Sequence, residues 1–215
     1  IAREEIPEEE VEATLELLRS RPGITLATAE RQGLGLAAAG EERTAVTIRA
    51  VAPSLWEDDP TLRDYLEFTA GEWVLGSRDI LLGDYVAREL GAGVGDEVRI
   101  LTARSLSGGR VLPRTRTFTA RGIVTSGYAD LDRLWVFVPF AEGSRLLPPE
   151  SSQLLLGMKI DDPLALPNPL FRAPSARAAE SAARLVAEVR DDLSTAYRVV
   201  TWFESERAKY MSFKT

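Results

Sequence analysis

The longest unbroken apolar run in this chain, Leu134 to Ala141, is eight residues long and contains Pro139. A helix needs about 20 apolar residues to span a bilayer, so no segment here is built to cross one. The apolar residues must instead lie in short segments that bury one face each, at a period near 3.6 in helices and 2 in strands. With 45% hydrophobic residues among 215, a chain of this length buries about 70% of its unfolded surface. That is enough for one large domain or two small lobes.

Pro7 followed by Glu8, Glu9 and Glu10 predicts a helix start, with acids at the positive end of the helix dipole and Val11, Leu15 and Leu18 on one face. Arg21-Pro22-Gly23 ends it. Alternating residues then predict strands at Ile24 to Glu30, Gly35 to Ala39 and Thr44 to Val51. An irregular connection with a short helix from Leu62 to Phe68 leads to a short strand at Val74 to Gly76. A helix from Ile80 to Leu90 follows, capped by Gly91-Ala92-Gly93. Val98, Ile100 and Leu101 begin a strand whose return partner is Thr115 to Val124, a hairpin with Gly108-Gly109 at its tip. Leu134 to Val138 and Leu154 to Ile160 are strands around a short helix, Pro139 to Leu147. Ser175 to Leu193 has the stripe of an amphipathic helix, Tyr197 to Trp202 reads as a strand, and Glu204 to Thr215 as a helix. The expected class is α+β. An α/β lobe is formed by both chain ends, 1–51 and 153–215, and a β-rich lobe, 52–152, is inserted between them, carrying a projecting hairpin over about 98–124.

Two absences narrow the chemistry. The chain has no Cys and no His, which removes the usual zinc ligands, thiol nucleophiles and the Ser-His-Asp relay. Gly91-Ala92-Gly93-Val94-Gly95 stands at the end of a predicted helix and the start of a strand. That is the reverse of a dinucleotide-binding loop. Asp58-Asp59, Asp130 with Asp132, Asp161-Asp162 and Asp191-Asp192 lack calcium-loop spacing and read as solvated turns. No catalytic residue, metal or cofactor is expected. The net charge of −7, from 26 basic and 33 acidic groups, disfavours nucleic acid as a partner.

Against that acidic background, Arg99, Arg104, Arg110, Arg114, Arg116 and Arg121 fall between Val98 and Arg121 with no acid among them. Guanidinium groups on a projecting hairpin suit a protein interface, because the fork is planar, always charged and weakly hydrated.

The order Val74-Leu75-Gly76, Leu82 to Leu90, Gly93-Val94-Gly95-Asp96-Glu97-Val98 is followed by Phe118 to Ile123, Gly127-Tyr128-Ala129-Asp130 and Val136-Phe137-Val138-Pro139. This order resembles the extracytoplasmic domain of LolC/LolE-type lipoprotein-releasing ABC transporter permeases, within the MacB/FtsX-like superfamily. The resemblance implies a periplasmic domain of an inner-membrane protein, with a Porter-like lobe from both chain ends and an inserted Sabre-like lobe. It also implies a non-catalytic role, with the ATPase on a separate subunit beside a partner permease, and a lipoprotein substrate. The segment Thr102 to Pro113 matches the Hook that docks a LolA-like periplasmic carrier, giving Ser105, Leu106, Arg110, Val111, Leu112 and Pro113 as Hook residues. Arg99, Thr115 and Arg116 match the basic and polar Pad at its base, with Thr115 in place of an amide. The second family-level expectation is another MacB/FtsX-like permease whose hairpin contacts an adaptor or a cell-wall hydrolase. The opening Ile1-Ala2-Arg3-Glu4-Glu5, with neither an initiator Met nor a signal-peptide pattern, fits a piece of a longer protein. Hydrophobic helices are then expected before Ile1 and after Thr215.

Overall fold

A computed structural model describes residues 6–105, 110–127, 132–162, 165–166, 175–193, 197–201 and 204. The chain divides into two compact units, 1–15 with 26–157, and 16–25 with 158–215.

Helix α1 is Glu8–Arg19; the backbone N–H groups of Glu10 and Val11 donate to the Pro7 carbonyl at 3.0 and 3.1 Å, and Val11, Leu15 and Leu18 are buried. Strand β1, Ile24–Ala39, is one continuous strand of 16 residues, where the sequence suggested two. Its middle stays extended because Glu30 through Ala39 pair antiparallel with Val51 through Glu42 of β2, Glu42–Val51. The two-residue loop starts at Gly40, whose φ of +55 is one that side chains avoid.

Short helices α2, Leu55–Asp58, and α3, Leu62–Tyr65, precede β3, Glu67–Gly71. The next strand, β4, is Asp79–Gly83, and helix α4 covers only Asp84–Leu90. This corrects the expected strand at Val74 to Gly76 and helix from Ile80. All five residues of β4 are buried, and Ile80, Leu81 and Leu82 run together without polar alternation because both faces of the strand are covered. Gly91, at φ +59, ends α4 in the left-handed conformation as expected. Then come β5, Glu97–Ser105, β6, Val111–Thr125, β7, Trp135–Pro139, α5, Phe140–Leu146, β8, Ser152–Ile160, and α6, Ala176–Leu193.

The sheet order is β2-β7-β4-β6-β5-β1-β8, and β1 also pairs with β2, so the first six strands close on themselves. β2 and β7 run parallel, as do β4 and β6, while the other ring pairs are antiparallel. Alternate residues point inward: Ile48 and Ala50, Val136 and Val138, Ile80 and Leu82, Phe118 and Ala120, Val98 and Ile100, with Ala37. Val86, Ala87 and Leu90 of α4, with Leu146 and Leu147, join this interior. Outside the ring, Val51, Leu81, Val124 and Phe137 pack with Leu66, Trp73 and Leu75. Ala120 faces in and Val124 faces out because Arg121 is an extra residue on β6: Ile80 pairs Ala120 but Leu81 pairs Gly122. Helix α5 lies so close to β2 that a Cβ on Gly143 would sit 2.0 Å from the Ala50 Cβ.

In the second unit, the Ser175 hydroxyl accepts from Ala178 N–H at 3.0 Å to start α6, and Arg21 is ion-paired with Asp192 and, at 3.8 Å, with Glu188. Residues 197–201 are not in a strand, which corrects that part of the expected strand at Tyr197 to Trp202; Thr201 and Glu204 are instead joined through local hydrogen bonds. Trp202 and, apart from Glu204, the expected terminal helix lie outside the described residues.

Candidate functional site

The hairpin of β5 and β6 is paired from Glu97↔Thr119 to Ser105↔Val111. Its outer neighbours cover only its base. β1 pairs β5 at Arg99 to Leu101, and β4 pairs β6 at Thr119 to Val124. Toward the tip from those positions, the two strands pair only with each other among the described residues. Leu106 to Gly109 lie outside the described residues, and Ser105 is placed as the last paired residue of β5. Arg110, Val111, Leu112 and Pro113 are exposed.

Strand periodicity sorts the hairpin side chains onto two faces. On one, Ile100 stands opposite Arg116, Thr102 opposite Arg114, and Arg104 opposite Leu112. This face is tied to α5 and the turn after it. Thr102 Oγ1 donates to the Leu146 carbonyl at 2.6 Å, Arg114 Nη1 donates to the Arg145 carbonyl at 2.6 Å, and Arg104 Nε lies 3.4 Å from Glu150 Oε1. The Glu142 side chain, only 3% exposed, joins two cations: Oε1 accepts from Arg145 Nη1 at 2.7 Å, and Oε2 lies 2.8 Å from Arg116 Nη2. The second is a charge contact off the N–H axis, because that oxygen accepts no aligned hydrogen bond.

The other face carries Arg99 opposite Thr117, Leu101 opposite Thr115, and Ala103 opposite Pro113. Of the three positions matched to a Pad, the structure puts Arg99 and Thr115 on this open face. Arg116 is on the opposite face, with its guanidinium on Glu142 and 39% of its side chain exposed.

The six arginines therefore do different work. Arg104, Arg116 and Arg121 have carboxylate partners, the last at 2.7 Å from Asp79, and Arg114 is held by a carbonyl. Arg99 and Arg110 have no carboxylate partner among the described residues.

Glu142 was not legible as a site residue: it lies 26 positions beyond Arg116, and nothing local marks it. Asp132, expected in a solvated turn, is instead buried. Its carboxylate accepts from Thr125 Oγ1 at 2.7 Å, Ser126 N at 2.7 Å and Ser126 Oγ at 2.8 Å. Burial opposes its ionisation, but the hydrogen bonds from Thr125, Ser126 and Gly127 together outweigh it and hold the carboxyl below its ordinary range. Among the described residues, no three acids converge as a metal site would require.

Residues 2–191 match the family described as the MacB-like periplasmic core domain. The chain belongs to that family. It is thus a periplasmic or extracellular domain of a MacB/FtsX-like ABC permease; among the described residues no helix is long and apolar enough to cross a membrane. Its MacB-like fold is similar to the extracellular domain of the noncanonical ABC-type transporter YknZ from Gram-positive bacteria (TM-score 0.55, 16% identity, 85% of this chain and 83% of that one). It is also similar to the periplasmic region of MacB from Actinobacillus actinomycetemcomitans (TM-score 0.50, 13% identity, 84% and 72%). In sequence it is 28% identical over 157 residues to the lipoprotein-releasing system transmembrane protein LolC of Neisseria meningitidis serogroup B, covering 71% of this chain. The match spans 37% of that relative's length.

Proposed function

We propose that this domain docks a soluble, LolA-like lipoprotein carrier through the β5–β6 hairpin. It would do so as the periplasmic part of a transporter that releases lipoproteins from the inner membrane, driven by an ATPase on a separate subunit and working with a partner permease. The domain itself catalyses nothing in this reading. The observation that carries the proposal is the distal hairpin, whose Val111, Leu112 and Pro113 are exposed on a ladder that pairs with no other strand among the described residues. The similarity to a LolC of a lipoprotein-releasing system supports the lipoprotein-release reading, and the carrier is what the resemblance of the hairpin to a Hook implies. Hook residues Ser105, Leu106, Arg110, Val111, Leu112 and Pro113 would supply burial and reach. Arg99 and Thr115 would meet the carrier beside them, and Arg116 would contribute through its exposed portion.

The lobe division, 1–51 with 153–215 against 52–152, belongs to the same proposal. It requires 52–152 to fold as a piece, although hydrogen bonds of β2 to β7 and of β1 to β5 run across that division.

The test is titration of the LolA-like carrier from the same organism against the wild-type chain and a chain lacking Ser105 to Arg110. Circular dichroism checks the fold. Loss of binding in the deletion is expected. Equal affinity would overturn hairpin docking and favour an adaptor or a cell-wall hydrolase as the partner.

A further inference from the structure

The open face of the hairpin does not stop at β5. The registers extend it across four strands into two rows: Arg43, Ala38, Arg99 and Thr117 in one, and Ala45, Leu36, Leu101 and Thr115 in the next. Leu34, paired with Thr47 on the same face, is 78% exposed. Arg43 and Arg99 stand roughly 10 Å apart, two strand spacings, with a small alanine between them. Arg43, like Arg99, has no ion pair among the described residues. By contrast Arg49, farther along β2, is held by Glu30 at 2.5 and 2.7 Å and stacked 4.4 Å from the Trp135 ring centroid.

An exposed leucine pair bordered by two guanidiniums with no ion pair among the described residues, with Glu97 two positions before Arg99 on the same face, is an apolar patch with arginine at its edge on a protein of net charge −7. Arginine is enriched at protein interfaces, and the leucines are apolar area that association would remove from water. The free cations would attract carboxylates, and the leucines would need an aliphatic surface to cover them.

We infer that this face, centred on Leu34, Leu36, Arg43 and Arg99, is a second part of the docking surface. It takes a protein segment that presents carboxylates flanked by aliphatic side chains, on the same partner the hairpin holds. The inference rests on the carrier-docking reading for that partner. What it adds is that β1 and β2 contribute to recognition. Charge complementarity selects the acidic partner, and the face is continuous with the hairpin through the Arg99–Thr117 and Leu101–Thr115 pairs.

The experiment titrates the LolA-like carrier against the 215-residue chain in five forms: wild type, Arg43→Glu, Leu34→Ser, the Ser105 to Arg110 deletion, and Arg63→Glu on α3 as a control. Each is measured at low and physiological salt. Both face substitutions point outward, and circular dichroism verifies the fold of each variant. Arg43→Glu should weaken binding about tenfold at low salt, with a smaller effect at higher salt. Leu34→Ser should weaken it severalfold with little salt dependence, and the control should match wild type. Wild-type affinity in both Arg43→Glu and Leu34→Ser, with binding lost in the deletion, would overturn this inference and leave hairpin docking intact. Loss in the face variants with wild-type affinity in the deletion would sustain it and overturn the Hook reading. No binding by wild type would overturn both. Sedimentation of the chain alone supplies the remaining outcome: a dimer abolished by Arg43→Glu would show that a second copy covers the face, and would overturn the inference.

Discussion

Arg116→Ala separates a structural arginine from a docking one. Glu142 is buried, and its two oxygens face Arg116 at 2.8 Å and Arg145 at 2.7 Å. Breaking a fully buried pair by removing one partner costs about 3–5 kcal/mol, because the other charge is left without compensation. Two features lower that figure here. Arg145 remains on the carboxylate, and the Arg116 side chain is 39% exposed, so water screens the pair. The expected loss is therefore about 1–2 kcal/mol, or about 3–6 °C in Tm for a chain of this size.

The assay is urea unfolding followed by circular dichroism, with Arg116→Ala, Glu142→Gln and the double variant in parallel. Once Glu142 is neutral, little charge is left to strand. The double variant should therefore be no less stable than Arg116→Ala, and the two losses should not add. Additive losses, or a change below about 0.3 kcal/mol in Arg116→Ala, would refute the view that Arg116 clamps the hairpin base to α5.

Gly143→Ala should destabilise the fold by about 1–3 kcal/mol, since its Cβ would sit 2.0 Å from the Ala50 Cβ and push α5 off β2; a wild-type midpoint in urea would show that α5 yields freely. Asp132 has a depressed carboxyl pKa in the fold, so its stabilising contribution is fully present above the ordinary unfolded value near 3.9 and is lost as pH falls through the lower folded value. Asp132→Asn should be less stable at pH 7 and should show a flatter loss of stability on acidification. An unchanged acid limb would refute this, and loss of transport in a folded, carrier-binding permease would point to a functional role instead.

The helices α1 and α6 were legible because a 3.6-residue stripe and local capping residues carry them: Pro7 with its three glutamates, and Ser175. The hairpin was legible for a different reason, two strand-like segments, one starting at Val98, Ile100 and Leu101 and one over Thr115 to Val124, either side of a glycine pair that lies outside the described residues. Strand β4 was not, since Ile80-Leu81-Leu82 is apolar on both faces and such a run has no period to separate strand from helix. The continuity of β1 was hidden by Arg31-Gln32-Gly33, which reads as an interruption; pairing with β2 keeps it extended, and the Arg31 side chain is buried. In the site, period two already sends adjacent Thr115 and Arg116 to opposite faces. What sequence could not supply was the acid that meets Arg116, or the β1 residue, Ala38, that stands beside Arg99. Those depend on register between distant segments.

The closed ring explains how one hairpin can have two unlike faces. β5 and β6 have 9 and 15 residues, while β4 and β7 have 5 each, so the hairpin is paired in the ring only at its base. An isolated two-stranded ladder is marginal in water. Here its base is fixed by ring hydrogen bonds, and the ladder beyond is tied on one face by the contacts of Thr102, Arg104, Arg114 and Arg116 to α5 and the turn after it. These contacts use up one face and most of its cations. They leave Arg99, Leu101 and Thr115 on the other face, held at fixed spacing. A binding surface fixed in this way loses less conformational freedom on association than a mobile loop would. Arg104, Arg114 and Arg116, which tie the hairpin to α5 and the turn after it, lie on one face, and Arg99 lies on the other.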